Sequence, residues 1–209
     1  LDVMCRCADC IDRTFGREDG KKRGYCGHPE IELALVKLFH ATGEARYLTL
    51  AKYFVDERGQ QPHYYLQEAA ARGEQGAAWW GDFSYGQAHK PLSEQTVVVG
   101  HAVRAMYIYS GMADVAAETG DQTLVAACKT LWHNLTRRRM HVTGGIGPTC
   151  QNEGFTFDYD MPNENAYDET CANIALAFWA HRMHHMDPNG EYVDVLERTL
   201  YNSVISGVS

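Results

Sequence analysis

The fold is decided by residues 29–55, PEIELALVKLFHATGEARYLTLAKYFV. Apolar side chains recur every three to four positions on both sides of Thr42-Gly43-Glu44, which predicts two helices, 29–41 and 45–55, joined by a turn. Gly43 suits the left-handed conformation that ends many helices. The segment therefore predicts a helical hairpin that buries its apolar face against neighbouring elements.

The same pattern returns twice, at Thr119-Gly120-Asp121 and, more loosely, at Asn189-Gly190-Glu191, each ahead of a further helical pattern. Repeated hairpins separated by long polar loops indicate an all-α chain that forms part of an (α/α)6 toroid, with function carried by the loops at one end. We expect one domain over residues 1–209. The chain begins at Leu1 rather than Met and stops at Ser209 within a helical pattern, so both ends are expected to be truncated.

Composition excludes some classes of protein. The net charge of −8 argues against nucleic-acid binding. No segment reaches the roughly 18 consecutive apolar residues of a membrane span. The seven cysteines are odd in number and lack the spacing of a disulfide framework, which favours a reducing, cytoplasmic compartment.

Two clusters favour a structural interpretation over a binding site. Cys5, Cys7 and Cys10 would spread around a helix axis, so buried helical cysteines are favoured over a metal cluster. The basic run at residues 137–139 closes a helical pattern, where cations complement the helix dipole, and is favoured as structural over a phosphate site.

Two long loops carry polar and aromatic residues. Residues 73–91 are rich in glycine and contain aromatic side chains suited either to stacking on sugars or to anchoring the loop, namely Trp79, Trp80, Phe83, Tyr85 and His89. The second loop, residues 141–168, includes Gly144-Gly145-Ile146-Gly147. No strand precedes this glycine-rich segment and no lysine follows it, so it lacks the context of a nucleotide-binding loop.

The acidic stretch 153–175, EGFTFDYDMPNENAYDETCANIA, is the strongest candidate for chemistry. Its acidic residues could form a solvated loop and begin a helix, where acids are favoured by the dipole. That interpretation leaves Cys171 unexplained, two positions after Glu169. A carboxylate and a thiolate at this spacing are suited to zinc, although a zinc site usually needs four ligands and the stretch offers two. Glu153 is a further carboxylate for acid/base work.

Two histidines are also candidates. His28 precedes Pro29, which fits the first turn of a helix, so His28 is expected to project from the helix end. His101 interrupts an apolar helical pattern, where a satisfied core histidine is the more common outcome, although Gly100 permits close approach.

At these residues the chain resembles glycoside hydrolase family 127, the bacterial β-L-arabinofuranosidases. The resemblance is carried by GHPEIELALVKLFHATGEARYLTLAKYF (27–54), GHAVRAMYIYSGMADVAAETGD (100–121), HVTGGIGP (141–148) and EGFTFDYDMPNENAYDETCANIALAFWAHRM (153–183). It implies an (α/α)6 barrel followed by β-sandwich domains, and a retaining glycosidase whose cysteine nucleophile is bound to zinc.

The resemblance also implies roles for individual residues. Glu153 matches the general acid/base, and Glu169 and Cys171 match two zinc ligands. His101 matches a histidine that contacts substrate, and His28 matches another, less securely because the intervening loop varies in length.

One feature of the family is missing. Its nucleophile and fourth ligand are an adjacent Cys-Cys pair downstream of the Glu-x-Cys motif, and no Cys-Cys pair occurs in these 209 residues. We therefore expect half of a zinc site, no nucleophile, and little or no activity from this chain alone.

The resemblance implies an arabinofuranoside or related plant-type glycan as substrate, with no nucleic acid and no membrane as partner. A homo-oligomer, or the remainder of the same protein, would complete the toroid. The alternatives are a non-catalytic carbohydrate-binding toroid, or another carbohydrate enzyme on this fold, such as an unsaturated-uronide hydrolase or a sugar epimerase. Neither of those enzymes needs a Glu-x-Cys pair.

Overall fold

The structure, a computed structural model, describes residues 1–76 and 81–208. Its helices are α1 (Asp2–Thr14), α2 (Ile31–Thr42), α3 (Ala45–Glu57), α4 (Tyr64–Ala71), α5 (Ala102–Thr119), α6 (Gln122–Arg138), α7 (Thr170–Met186) and α8 (Gly190–Arg198). Two short strands, β1 (Gly100–His101) and β2 (Gly154–Phe155), form one antiparallel pair. A turn of π-helix, Thr199–Val204, follows α8. The prediction of an all-α chain is therefore confirmed.

Glycine turns form the first two hairpins as predicted. Gly43 ends α2 with φ of 74° and Gly120 ends α5 with φ of 69°, both in the left-handed region that glycine adopts most easily. Asp121 then begins α6, because its carboxylate accepts hydrogen bonds from the backbone N–H groups of Thr123 and Leu124.

The third hairpin, α7–α8, forms through a different turn. The left-handed glycine turn predicted around Gly190 is wrong, since Gly190 is the first residue of α8. Asn189 caps that helix instead, its side-chain oxygen accepting from the N–H of Glu191 at 3.1 Å.

Two predicted helix boundaries are also wrong, and both concern candidate histidines. The helix after His28 begins at Ile31, because Glu30 has an extended φ of −158°, so Pro29 lies outside the first turn. His101 lies in β1, not within a helix, and α5 begins one residue later. Gly100 redirects the chain there with φ of 75°.

The cysteines of the first helix are only partly as predicted. Cys5, Cys7 and Cys10 do lie on α1, but Cys7 and Cys10 are exposed. The prediction that they are buried is wrong, because α1 buries little beyond Ala8 on its packed face.

The core is built around α5, which packs against α2, α3, α6 and α7 and is buried along most of its length. At Gly111 a Cβ atom would lie 2.7 Å from Glu32 Cβ, which shows how closely α2 approaches α5. Trp179 of α7 packs against Tyr109 and Trp132, with ring centroids 5.2 and 5.1 Å apart, and so connects α5, α6 and α7. This packing holds the middle of α5, whose N-terminal end follows directly after β1.

The basic run at the end of α6 holds the loop that follows β2. Arg138 and Arg139 both donate to the Asp158 carboxylate at 2.8 Å. Arg139 also donates to the carbonyl oxygens of Val98 and Thr156, on the chain segments that lead to β1 and away from β2. None of the helices in the described part of the chain is long and apolar enough to cross a bilayer.

Candidate active site

The pairing of β1 with β2 brings His101 and Glu153 together. Gly100 pairs with Phe155 and His101 with Gly154, which places Glu153 directly before the paired residues. Gly154 permits this approach, since a Cβ atom there would lie 2.3 Å from the Gly100 carbonyl oxygen. The His101 Nε2 and Glu153 Oε2 atoms are 3.1 Å apart.

The hydrogen bonds of His101 determine which ring nitrogen carries its proton. The backbone N–H of Arg104 donates to Nδ1 at 3.2 Å, so Nδ1 is an acceptor and His101 caps α5. Nε2 must therefore carry the hydrogen and donate it to Glu153. Burial lowers the pKa of His101, despite the opposing effect of its hydrogen bond to Glu153, which agrees with a neutral ring.

Glu153 presents its carboxylate from an unusual backbone. Its φ is 48°, after a φ of 64° at Asn152, both in the left-handed region. Its side chain remains 47% exposed, whereas that of His101 is 9% exposed. The Tyr167 hydroxyl donates to the second carboxylate oxygen, Oε1, at 3.3 Å. The carboxylate is therefore oriented on both oxygens and still accessible.

His28 lies beside the same site. Its ring centroid is 6.1 Å from that of His101 and 5.8 Å from that of Tyr107, both edge to face. Its Nδ1 is 3.2 Å from Glu30 Oε1, without the geometry of a hydrogen bond. Burial lowers the pKa of His28, followed by the nearby charge of Arg104. The structure thus brings the two candidate histidines together.

Glu169 and Cys171 lie at the start of α7, where Glu169 is the N-cap residue. The Glu169 Oε2 atom is buried and has no hydrogen-bond partner among the described residues. Partial burial, and then the neighbouring Glu169 carboxylate, raises the pKa of the Cys171 thiol to about 11. A buried carboxylate oxygen without a donor, next to a thiol, fits a shared cation.

The fit is limited to two ligands. Within residues 1–76 and 81–208, no group of three or more His, Cys, Asp or Glu side chains is arranged to hold a metal ion. Glu169 and Cys171 are therefore at most two ligands of a zinc site, and the others would have to come from elsewhere.

The glycine-rich segment 144–148 supports these residues through its backbone. The N–H groups of Tyr167 and Asp168 donate to the carbonyl oxygens of Pro148 and Gly147 at 3.2 and 3.0 Å. A Cβ atom at Gly145 would lie 2.1 Å from the Asp168 carboxylate, so a larger residue there would require that carboxylate to shift. The segment positions the Glu-x-Cys motif, which is consistent with its failure to match a nucleotide loop.

The remaining acidic residues of the stretch have other contacts. Asp158 binds the two arginines at the end of α6, and Asp160 accepts from the Thr156 hydroxyl. Asp168 accepts from Asn173 at 2.8 Å, and Glu164 is exposed.

In the loop of residues 73–91, one aromatic side chain contacts the site and another anchors the loop. Phe83 stacks on His63 with ring centroids 3.7 Å apart, which identifies Phe83 as a loop anchor. Tyr85 meets His101 edge to face at 5.5 Å. Trp79 and Trp80 lie outside the described residues.

Tyr167 is the functional residue that sequence reasoning missed. The only signal was its place in the acidic loop, two residues before Glu169. Its contact with Glu153 depends on how the loop folds back, which its own sequence does not reveal.

The helical hairpins, with an accessible carboxylate held between a histidine and a tyrosine beside the N-terminal end of α5, fit part of an α/α toroid. Comparison with known proteins gives the family. The family model of the GH127 β-L-arabinofuranosidase catalytic domain matches residues 1–209. The chain belongs to glycoside hydrolase family 127, and the toroid prediction is confirmed.

Similar proteins include a non-reducing end β-L-arabinofuranosidase of Bifidobacterium longum subsp. longum, 47% identical over 212 residues, which cover 100% of this chain and 32% of that protein. A GH127 β-L-arabinofuranosidase from Geobacillus stearothermophilus T6, known from a crystal structure, is 54% identical with a TM-score of 0.96, covering 99% of this chain and 33% of that one. A GH127 β-arabinofuranosidase of known structure is 43% identical with a TM-score of 0.87, and the match covers 100% of this chain and 30% of that one. The chain thus spans about a third of the length of these relatives.

Proposed function

We propose that the protein containing this chain is a zinc-dependent retaining glycosidase that removes terminal β-L-arabinofuranose, with Glu153 as its acid/base. The observation that carries the proposal is the placement of Glu153, accessible and held on both oxygens by His101 and Tyr167. The names of the similar proteins support the choice of sugar.

Glu153 is positioned to exchange a proton with a bound glycoside. In the first step of retaining hydrolysis an acid protonates the leaving oxygen, and in the second the same group accepts a proton from water. The hydrogen bond from His101 Nε2–H fixes Oε2, and the hydroxyl of Tyr167 fixes Oε1. Such fixed orientation favours proton transfer because the donor must lie within hydrogen-bond reach of the reacting oxygen.

Glu169 and Cys171 are proposed to hold the zinc ion together with ligands outside this chain. The chemistry that zinc supplies when bound is stabilisation of thiolates at neutral pH. Without a cation the raised pKa keeps the Cys171 thiol protonated near pH 7, so binding would release its proton. The nucleophilic cysteine is likewise proposed to lie outside these residues, so the isolated chain should be inactive or nearly so.

The test uses the longer protein and an alkyl β-L-arabinofuranoside, whose leaving oxygen must be protonated. We expect Glu153→Gln to lower the rate by 10² to 10⁴, roughly the usual contribution of a general acid/base. Glu164→Gln, which changes an exposed carboxylate of the same loop, should leave the rate unchanged. If Glu153→Gln hydrolysed the substrate as fast as wild type, the site assignment would be wrong. If wild type bound arabinosides without hydrolysing them, the carbohydrate-binding alternative would replace it.

A further inference from the structure

Arg58 and Gln87 are buried polar residues that the proposed mechanism does not use. Arg58 follows α3 and Gln87 follows the turn at residues 84–86, and both side chains are fully buried. Gln87 has a φ of 53°, in the left-handed region. A buried arginine and a left-handed glutamine are each costly, so their contacts require an explanation.

The guanidinium of Arg58 bonds two separate loops at once. Its Nη1 donates to the carbonyl oxygen of Gly86 at 3.0 Å, and its Nη2 donates to that of Cys26 at 2.9 Å. Cys26 lies two residues before His28, and Gly86 directly follows Tyr85, whose ring packs against His101. Arg58 therefore connects the segment that carries His28 to the turn beneath His101.

The amide of Gln87 continues this connection to β1. Its Nε2 donates to the carbonyl oxygens of Tyr85, Val99 and His101 at 3.2, 2.9 and 3.3 Å. The turn and β1 are also in direct contact, since a Cβ atom at Gly100 would lie 2.1 Å from the Ser84 carbonyl oxygen.

Glu32 faces Arg58 without a hydrogen bond to it. Its Oε1 is 4.0 Å from Arg58 Nη2, both side chains are at most 1% exposed, and neither carboxylate oxygen has a hydrogen-bond partner among the described residues. The directional bonds of the guanidinium thus go to the two loops, and none goes to the Glu32 carboxyl group.

We propose that Arg58 and Gln87 are positioning residues that fix His28 and His101 relative to each other and, through His101, set the orientation of Glu153. The expected effect on the rate of hydrolysis rests on the proposed function. Neither residue touches the reacting groups. They act through the carbonyl oxygens of the segments that carry the two histidines.

The test compares the longer protein with Arg58→Met/Glu32→Gln, which removes the guanidinium and the carboxyl group that faces it, and with Gln87→Met, which removes the amide donors. The readout is the kcat/KM for an alkyl β-L-arabinofuranoside divided by the kcat/KM for a dinitrophenyl β-L-arabinofuranoside. The alkyl leaving group needs protonation by an acid, whereas the dinitrophenyl leaving group does not. The folded fraction cancels in this ratio, so loss of stability alone leaves it unchanged. We expect the ratio to fall on the order of 10²-fold, the cost of an ångström-scale displacement of catalytic groups.

The matched control is Arg182→Met/Asp114→Asn, which removes an arginine–carboxylate pair between α7 and α5. It should leave the ratio as in wild type. Arg58→Lys keeps the charge opposite Glu32 but cannot bridge two carbonyl oxygens as a guanidinium does, so its ratio should also fall.

An unchanged ratio in Gln87→Met and in both Arg58 variants would overturn the proposal. A wild-type enzyme that cleaves neither substrate would overturn the proposed function instead. The positioning role is then decided by the ¹⁵N shifts of the His101 ring, which should change in Arg58→Met/Glu32→Gln and stay constant in the control. Constant shifts in both would contradict it.

Discussion

At the scale of single residues, the site depends on the direction of one hydrogen bond. Because the N–H of Arg104 occupies Nδ1 of His101, the other ring nitrogen can only donate, and its acceptor is Glu153. His101 was expected from the family resemblance to contact substrate. In the structure His101 also contacts Glu153, the proposed acid/base, and its hydrogen bond orients the Glu153 carboxylate.

Gly100 provides a test of how strictly β1 is held. Gly100→Ala would place a Cβ atom 2.1 Å from the Ser84 carbonyl oxygen at a φ of 75°, whereas Gly120→Ala meets nothing within 4 Å at a φ of 69°. We expect Gly120→Ala to lower the free energy of unfolding by about 1 kcal/mol, from backbone strain alone. Gly100→Ala should lower it further and also reduce kcat/KM, because His101 must move.

Urea unfolding and kinetics on both variants of the longer protein check this expectation. Equal stability losses with unchanged kinetics would show that β1 tolerates displacement and that the close approach is unimportant for the site.

At the scale of elements, the contact of Asp158 with the end of α6 fixes the loop after β2. The hydrogen bond from Arg138, and then that from Arg139, lowers the pKa of Asp158. A carboxylate with a lowered folded-state pKa stabilises the fold above its unfolded value of about 3.9, and this stabilisation is lost as the pH falls through the folded-state pKa.

We therefore expect Asp158→Asn to lower the free energy of unfolding at pH 7 and to have a smaller effect at a pH below the lowered pKa of Asp158, where the wild-type carboxyl is protonated. Urea unfolding at the two pH values measures the difference. Asp194→Asn, an exposed position on α8, is the control and should show little effect at either pH. A loss that is the same at both pH values would mean that the charge of Asp158 does not stabilise the loop.

The hairpins could be predicted from sequence, whereas the strands could not. The apolar periodicity of residues 29–55 and the glycines at 43 and 120 are local signals, and the helices they predict are present. Strand β1 has only two residues, and its partner strand β2 is distant in the sequence. His101 and Glu153, which this pairing brings together, are 52 positions apart. The apolar residues that precede His101, VVVG, continue the apolar pattern of α5. The sequence pattern therefore predicts a helix at His101, where the structure has a strand.

The candidate site was predictable to the extent that its residues lie in recognisable motifs. Glu153, Glu169 and Cys171 were named from one acidic stretch, and their roles remain proposals. Tyr167 could not be named, because its position against Glu153 comes from backbone bonds to Gly147 and Pro148 across the loop.

At the scale of the whole molecule, the two proposed zinc ligands imply a site completed by residues outside this chain. The chain covers about a third of the length of its relatives. We expect the longer protein to contain about one zinc per molecule, consistent with a four-ligand site, and the isolated 209-residue chain to bind zinc much more weakly with two ligands.

Metal analysis after dialysis measures this difference. In the longer protein Cys171→Ser should lower the zinc content, whereas Cys150→Ser, at an exposed cysteine, should not. Zinc retained in full by Cys171→Ser would contradict the assignment of that ligand.

In the proposed mechanism Glu153 donates the proton that the leaving oxygen needs. The most direct test is kcat/KM of Glu153→Gln in the longer protein, measured across β-L-arabinofuranosides from alkyl to dinitrophenyl leaving groups. We expect a loss of roughly 10² to 10⁴ for the alkyl substrate, the usual range for a general acid, and little loss for the dinitrophenyl substrate. An equal loss across the series, or no loss for the alkyl substrate, would contradict it.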